Sequence, residues 1–239
     1  AIENKFDYFE IGGIDSELNL NSKAIQEIKK ISKRANINLR LHLPYFLPIS
    51  SSIPEISKGA LKFAKKEIIL AKKLGVKWIT IHSGRVEVRW AKEIISKQKE
   101  ILIKNLKELV NFAKKLGIEI NLENSWQEAI CIKANEILKI VKSIPGIKIV
   151  LDVGHANVAG LDPIKYFERV RKYLSAIHIH DNQGEFDEHA PIGKGNIKFE
   201  ELIKKCKKLK FYGPFIIETF PKENLLKSKN TFFRIWNKT

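Results

Sequence analysis

Three segments of this sequence repeat one pattern of polar and hydrophobic positions: the end of an amphipathic helix, a helix stop, and a short apolar strand. They read SKRANINLRLH, AKKLGVKWITIHSG and AKKLGIEINLEN. Gly75 and Gly117 are typical of the residue after a helix, because glycine adopts positive φ without steric cost. Each strand ends in a side chain that can bind a metal, namely His42, His82 or Glu123. The pattern predicts successive βα units with polar residues at the strand ends.

The same alternation continues along the chain. Strands are predicted near residues 6–12, 37–43, 76–82, 118–123, 147–152, 176–181 and 214–219. Helices are predicted near 22–34, 55–74, 92–116, 134–143, 163–173 and 199–209. Strands that alternate with helices of this length indicate a parallel sheet with crossover helices.

We interpret the alternation as a single α/β domain over residues 1–239, a (β/α)8 TIM barrel. Seven strands are predicted, and the opening AIENKFDYFEIGG is typical of a helix end that runs into a strand. We therefore expect a first strand and helix to precede this chain. The alternative is an open, doubly wound sheet, but no Gly-rich phosphate loop follows any predicted strand.

Residues that can bind metals lie at the C-terminal ends of the predicted strands or just after them, and all six histidines are among them. The set comprises His42, His82, Glu123, Asp152, His155, His178, His180, Asp187, His189 and Glu218. In a βα barrel these ends converge on one face, where active sites are built. Scattered core or surface histidines would not be sorted in this way, so we interpret the set as one site.

The residue types favour one kind of chemistry. Imidazole combined with carboxylate is typical of sites for Zn²⁺, Mn²⁺ or Fe²⁺, whereas Mg²⁺ and Ca²⁺ prefer oxygen ligands alone. No serine or cysteine stands in a nucleophile-elbow setting, which argues against covalent acyl chemistry. The turn Gly193-Lys194-Gly195 is a candidate anion site, because its backbone amides could face a phosphate.

The net charge of +16 has two interpretations. It indicates a polyanionic partner such as nucleic acid, or it follows from a general compositional bias, since lysine is spread over nearly every predicted helix and methionine is absent. Cys131 and Cys206 are far apart and are predicted to be buried thiols rather than a disulfide. No apolar run is long enough to span a membrane. We expect a monomer in the cytoplasm.

The segments HLPY, IHSG, LEN, LDVGH, IHIHD, DEH followed by IGKG, and IET stand in this order along the chain. They resemble the endonuclease IV family, within the broader xylose isomerase-like barrel superfamily. The resemblance implies up to three divalent metals, zinc or else manganese or iron. The implied ligands of the first metal are His42, His82 and Glu123. Those of the second are Glu123 as a bridge, Asp152, His178 and Glu218, and those of the third are His155, Asp187 and His189.

The resemblance also implies an activity, the cleavage of duplex DNA at abasic sites by metal-dependent phosphodiester hydrolysis. In that reaction Glu123 would orient the attacking water. Tyr45 matches a tyrosine that such enzymes place against the distorted duplex, and Arg85 and Lys194 are candidate phosphate contacts. His180 is a further candidate for substrate binding. The alternative for Tyr45 is an aromatic residue that packs at the rim of the barrel. The alternative for Arg85 and Lys194 is that they are ordinary exposed loop charges.

Two departures indicate another branch of the superfamily. The sequence has LDVGH where endonuclease IV usually has LDTCH, and it has Pro48 where that family usually has asparagine. LDVGH and DEHAPIGKG are also similar to proteins described as sugar phosphate isomerases or epimerases. The alternative function is therefore the isomerisation or epimerisation of a small sugar or sugar phosphate.

The alternative enzyme would use a single metal. Its ligands would be Glu123, Asp152, His178 and Glu218. Glu123 and Glu218 would then move a proton between adjacent carbons. Asp187 and His189 would have no necessary role, which distinguishes the two hypotheses. A binding module without catalysis is a third hypothesis, but it needs neither nine converging ligands nor a full barrel.

Overall fold

The computed structural model describes residues 4–12, 20–126 and 128–239. Its strands are β1 Tyr8–Gly12, β2 Asn38–His42, β3 Trp78–His82, β4 Glu119–Glu123, β5 Lys148–Asp152, β6 Leu174–Ile179 and β7 Phe215–Ile217. Its helices are α1 Ser22–Arg34, α2 Pro54–Leu74, α3 Lys92–Lys115, α4 Ala134–Lys142, α5 Val153–Val158, α6 Pro163–Val170, α7 Phe199–Lys208 and α8 Asn224–Lys238. A 3₁₀ turn, Arg171–Tyr173, follows α6.

Helix boundaries follow from local side-chain chemistry. Asn21 caps α1 by accepting a hydrogen bond from the amide of Ala24 at 2.9 Å. Pro54 stands in the first turn of α2, where an N–H has no partner within the helix. Gly75 ends that helix with a φ of +80°. Asp162 caps α6 by accepting hydrogen bonds from two backbone amides.

The chain divides into two compact units. The first comprises Ala1–Glu123, Glu128–Ile130 and Lys139–Lys148, and the second comprises Asn124–Gln127, Cys131–Leu138 and Ile149–Thr239. In the first unit, β1 to β4 are parallel neighbours in sequence order. His42 pairs with Gly12, and His82 pairs with Glu123. Because paired strands lie about 4.8 Å apart, this register brings the polar residues at the strand ends together.

In the second unit, β5, β6 and β7 are parallel neighbours in sequence order. Asp152 pairs with His178 at the end of β5. The strand β6 ends at Ile179, so His180 begins the loop that follows. Two candidate ligands therefore share one register position, and a third stands just beyond it.

Most predicted elements are confirmed to within two residues at each end. The predicted helix 163–173 is α6 followed by the 3₁₀ turn, and two helices were not predicted. One is α5, which follows β5 without a loop and has only six residues, too few to show a hydrophobic period. The other is α8, near the C-terminus. Within the described residues, no helix combines the length and apolar character needed to cross a membrane.

Candidate metal centre

The ends of β2, β3 and β4 bring together three predicted ligands in the first unit. His42, His82 and Glu123 form what we call the first group. The Nε2 atoms of His42 and His82 lie 2.9 and 3.2 Å from Oε2 of Glu123. Glu123 and His82 are buried, whereas 17% of the His42 side chain is exposed. Three converging ligands with one side open to solvent are typical of a catalytic zinc site, which keeps a coordination position free.

The second unit forms a larger group from α5 and the loop after β6. His155, His180, Asp187 and His189 make up this second group, and one ligand atom from each lies within 4.8 Å of the others. Oδ2 of Asp187 lies 3.3 Å from Nε2 of His155 and 3.3 Å from Nε2 of His189. Oδ1 lies 3.5 Å from Nε2 of His180. The rings of His180 and His189 stack with their centroids 3.9 Å apart.

Backbone carbonyl groups orient three histidines of the two groups, each through a hydrogen bond from Nδ1. The pairs are His42 with Leu43 at 2.6 Å, His155 with Asn124 at 3.0 Å and His189 with Glu218 at 2.7 Å. Because a carbonyl oxygen only accepts, Nδ1 carries the proton, and Nε2 is left as the atom that faces the carboxylate. Histidines that bind metals are oriented in this way by their partners. The residues present therefore fit a divalent metal in each group.

Asp187 and His189 form a charged pair in the second group. Burial raises the pKa of Asp187, but the hydrogen bonds and charges of His155 and His189 outweigh it and hold that pKa well below its usual range. Burial lowers the pKa of His189, but the hydrogen bond and charge of Asp187 raise it to about 9. His189 has a φ of +48°, a left-handed conformation that costs about 1–2 kcal/mol outside glycine. The surrounding structure thus holds this imidazole against Asp187 at a local cost.

The remaining predicted ligands also make contacts within the second unit. Nδ1 of His178 lies 3.0 Å from Oε1 of Glu218. Asp152 caps α5, since its Oδ1 accepts a hydrogen bond from the amide of His155 at 2.7 Å. The same oxygen lies 3.2 Å from Nε2 of His180. Asp152 therefore links the end of β5 to the second group.

The residues predicted to bind substrate lie in different environments. Tyr45, Arg85 and Lys194 are exposed, and Tyr45 packs edge to face against Phe46 with ring centroids 5.2 Å apart. His180, by contrast, has no exposed surface. The structure places it with the candidate metal ligands rather than at the surface.

The predicted anion site in the turn at residues 193–195 is wrong. The amide of Gly193 donates to Oδ2 of Asp181 at 2.8 Å, and the amide of Lys194 donates to the carbonyl of Pro191 at 3.0 Å. Oδ1 of Asp181 accepts further hydrogen bonds from the amides of Asn182 and Ile197. The carboxylate of Asp181 therefore already fills the place that an external anion would take.

Asn124 and Gly154 also shape the site, although sequence analysis did not single them out. Asn124 forms hydrogen bonds with both backbone groups of Asp152. Gly154 leaves space for the ring of His180. Each had a signal in the sequence, since Asn124 ends the LEN segment and Gly154 stands where LDVGH departs from LDTCH.

Over residues 1–235, the sequence matches the family described as Xylose isomerase-like TIM barrel. The chain belongs to this family. The predicted fold class is therefore confirmed. A solved structure of a D-tagatose 3-epimerase-like protein has the same fold, with a TM-score of 0.88 and 28% identity over 99% of this chain and 91% of that one. The IOLI protein with a bound zinc atom shares the fold at a TM-score of 0.84 and 21% identity, over 99% of this chain and 90% of that one.

Sequence relatives include proteins with and without a described activity. The uncharacterised protein MJ1614 of Methanocaldococcus jannaschii is 32% identical over 87% of this chain and 80% of its own length. A probable endonuclease 4 of Mesomycoplasma hyopneumoniae is 30% identical over 69% of this chain and 62% of its own length. The chain therefore belongs to an enzyme superfamily that includes endonucleases and sugar epimerases, as the sequence predicts.

Proposed function

We propose that this protein is a divalent-metal-dependent phosphodiester hydrolase that cleaves duplex DNA at abasic sites. The second group carries the proposal, because Asp187 and His189 have no necessary role in an isomerase that uses one metal. In this chain Asp187 and His189 form a charged pair, and the backbone carbonyl of Glu218 orients His189. The imidazoles of His155 and His180 complete the group. The similarity to a probable endonuclease 4 and the net charge of +16 support the same activity.

The first group would provide the catalytic metal site, with zinc as the proposed metal because two imidazoles and one carboxylate hold zinc in known zinc hydrolases. A divalent metal with an open position lowers the pKa of a bound water to about 7, which supplies a nucleophile near neutral pH. Glu123 would orient the attacking water, since its buried Oε2 lies 2.9 and 3.2 Å from Nε2 of His42 and of His82. A further metal would use the remaining ligands. These are Asp152, His178 and Glu218.

Exposed side chains would contact the DNA. Two exposed cations would pair with phosphates, namely Arg85 in the first unit and Lys194 in the second. Tyr45 is 56% exposed and is therefore accessible to the distorted duplex that it would contact. Each phosphate that a cation neutralises releases counterions, so binding would weaken steeply with added salt. We propose that the protein acts as a monomer in the cytoplasm, where the two buried free thiols would remain reduced.

The test is cleavage of a duplex that carries a single abasic site, with the same duplex without the lesion as the control substrate. The variants Asp187→Asn and His189→Asn should each lower the cleavage rate by about 100-fold or more, since even residues that only orient metal ligands contribute 10- to 100-fold. Asn105→Ala is the matched control, because Asn105 is buried in the first unit and belongs to neither group. Cleavage that persists in both site variants, or no cleavage by the metal-loaded protein, would refute the proposal.

Epimerisation of a sugar or sugar phosphate is the second candidate, favoured by the 28% identity with a D-tagatose 3-epimerase-like protein. Glu123 and Glu218 would then serve as the proton-transfer pair. A panel of ketoses and ketose phosphates separates the two functions. Turnover that survives Asp187→Asn but is lost in Glu218→Gln would establish the epimerase.

A further inference from the structure

In the second unit, the ring of His180 occupies the space that a side chain at position 154 would need. A Cβ atom at position 154 would lie 1.9 Å from Cε1 and 2.3 Å from Nε2 of the His180 ring. Gly154 lies inside α5 and does not have a positive φ, so its backbone alone does not require glycine. Glycine inside a helix is about 1 kcal/mol less favourable than alanine. The structural reason for glycine here is therefore the imidazole that lies against it.

The ring of His180 is directed into the second group. It is fully buried, stacks on His189 with an interplanar angle of 16°, and brings Nε2 to 3.5 Å from Oδ1 of Asp187. Among the described residues, that Oδ1 atom is buried and accepts no hydrogen bond. Buried polar atoms are nearly always satisfied in native proteins. A cation between the imidazoles and the carboxylate would satisfy this oxygen.

We propose that His180 is a fourth protein ligand of a metal in the second group, and that Gly154 serves to admit it. With His155, Asp187 and His189, it would complete a four-ligand shell. Four protein ligands are typical of closed zinc sites, which stabilise structure, whereas three ligands leave a position for water. The second group would thus retain its metal and order the loop after β6, while the first group keeps the open position. The assignment rests on the geometry of the second group, and its test does not measure activity.

X-ray absorption at the zinc edge tests the assignment by counting ligands rather than by measuring activity. The protein would carry His82→Asn and Glu218→Gln, which disable the other predicted ligand sets, and one equivalent of zinc. We expect three imidazoles and one carboxylate in the zinc shell, as the second group contains. Two imidazoles would overturn the proposal. Because this count leaves every residue of the second group unchanged, it does not depend on whether variants of that group fold.

Substitution at the two positions supplies the second arm. In the same background, His180→Asn and Gly154→Ala should each reduce the count from three imidazoles to two. With Co²⁺ in place of zinc, the visible spectrum should shift, because another ligand such as water replaces one imidazole nitrogen. His155→Asn is the positive control for loss of one imidazole. If His180 only hydrogen-bonds to Asp152, zinc affinity would fall while the imidazole count and the Co²⁺ spectrum stayed unchanged, and the proposal would be wrong.

Discussion

Asn124 forms two hydrogen bonds with the backbone of Asp152: its Nδ2 donates to the carbonyl oxygen at 2.9 Å, and its Oδ1 accepts from the amide at 2.8 Å. The side-chain amide of asparagine carries one acceptor and two donors, so it can serve both groups of a peptide backbone at once. The backbone carbonyl of Asn124 also accepts the Nδ1 proton of His155. One buried residue therefore positions two candidate ligands.

Substitution of Asn124 should affect both folding and metal binding. Asn124→Ala removes two hydrogen bonds to the buried backbone of Asp152, so we expect the free energy of unfolding to fall by roughly 2–4 kcal/mol. Zinc affinity should fall by about 10- to 100-fold, the usual effect of losing a residue that orients ligands. Urea unfolding and zinc titration measure the two effects separately.

Asn105→Ala is the control for that substitution. Asn105 is also buried and donates to the carbonyl of Ile49 at 2.7 Å and to Oγ of Ser57 at 2.9 Å. It should therefore cost a similar amount of stability while zinc affinity remains unchanged. Equal losses of affinity in the two variants would show that general destabilisation, and not the loss of ligand orientation, explains the effect.

The stability of the metal-free protein should depend on pH through His189. Its pKa is raised from 6.5 to about 9 in the folded protein, so the folded state keeps a proton that the unfolded chain loses above about 6.5. The stabilisation is complete below pH 6.5 and is lost as pH rises towards 9. Thermal unfolding in chelator across this range should show the decline. His189→Asn removes the titrating group, and asparagine tolerates the left-handed backbone, so an equal decline in this variant would contradict the assignment.

Two glycines should respond oppositely to alanine. At Gly195, a Cβ atom would lie 2.1 Å from the carbonyl oxygen of Asn182 and 2.3 Å from Oδ1 of Asp181. Gly195→Ala should therefore lower the free energy of unfolding by about 1–3 kcal/mol. At Gly59, inside α2, nothing lies within 4 Å of the added atom. Gly59→Ala should raise stability by up to about 1 kcal/mol. Thermal unfolding of both variants measures the difference, and a gain at Gly195 would refute the described turn.

Removal of metal should lower the melting temperature, and added zinc should restore it. A ligand that binds only the folded state at 100 times its Kd adds about 2.7 kcal/mol per site. His82→Asn should reduce the zinc-dependent shift without abolishing it, because the second group does not include this residue. Calorimetry with chelator and with zinc measures the shift. If neither chelator nor zinc changed the melting temperature, the protein would have no metal site in either group.

The strand ends and most helices and strands could be predicted from the sequence, because the hydrophobic periods of strands and helices are local properties of the chain. His42, His82 and Glu123 could be placed together from the order of βα units alone. The contacts of His180 could not be predicted, because they depend on how the loop after β6 packs against the start of α5, and strand order does not specify that packing.

The prediction for the turn at residues 193–195 was wrong for a similar reason, because a contact outside the local sequence pattern decided the outcome. Its glycines and lysine are typical of an anion-binding turn when considered alone. The carboxylate that satisfies the amide of Gly193 belongs to Asp181, twelve positions earlier in the chain. A sequence pattern shows which backbone groups are available, but not which distant side chain has already bound them.

Asp152 is at once a predicted metal ligand and the residue that caps α5. Most substitutions at this position would therefore remove a helix cap together with a ligand, and selection for the fold would act on it even in a protein without the activity. Asparagine caps helices about as well as aspartate but has no negative charge for a metal. In a descendant protein that loses the metal but keeps the barrel, we therefore expect asparagine to be the first replacement at position 152.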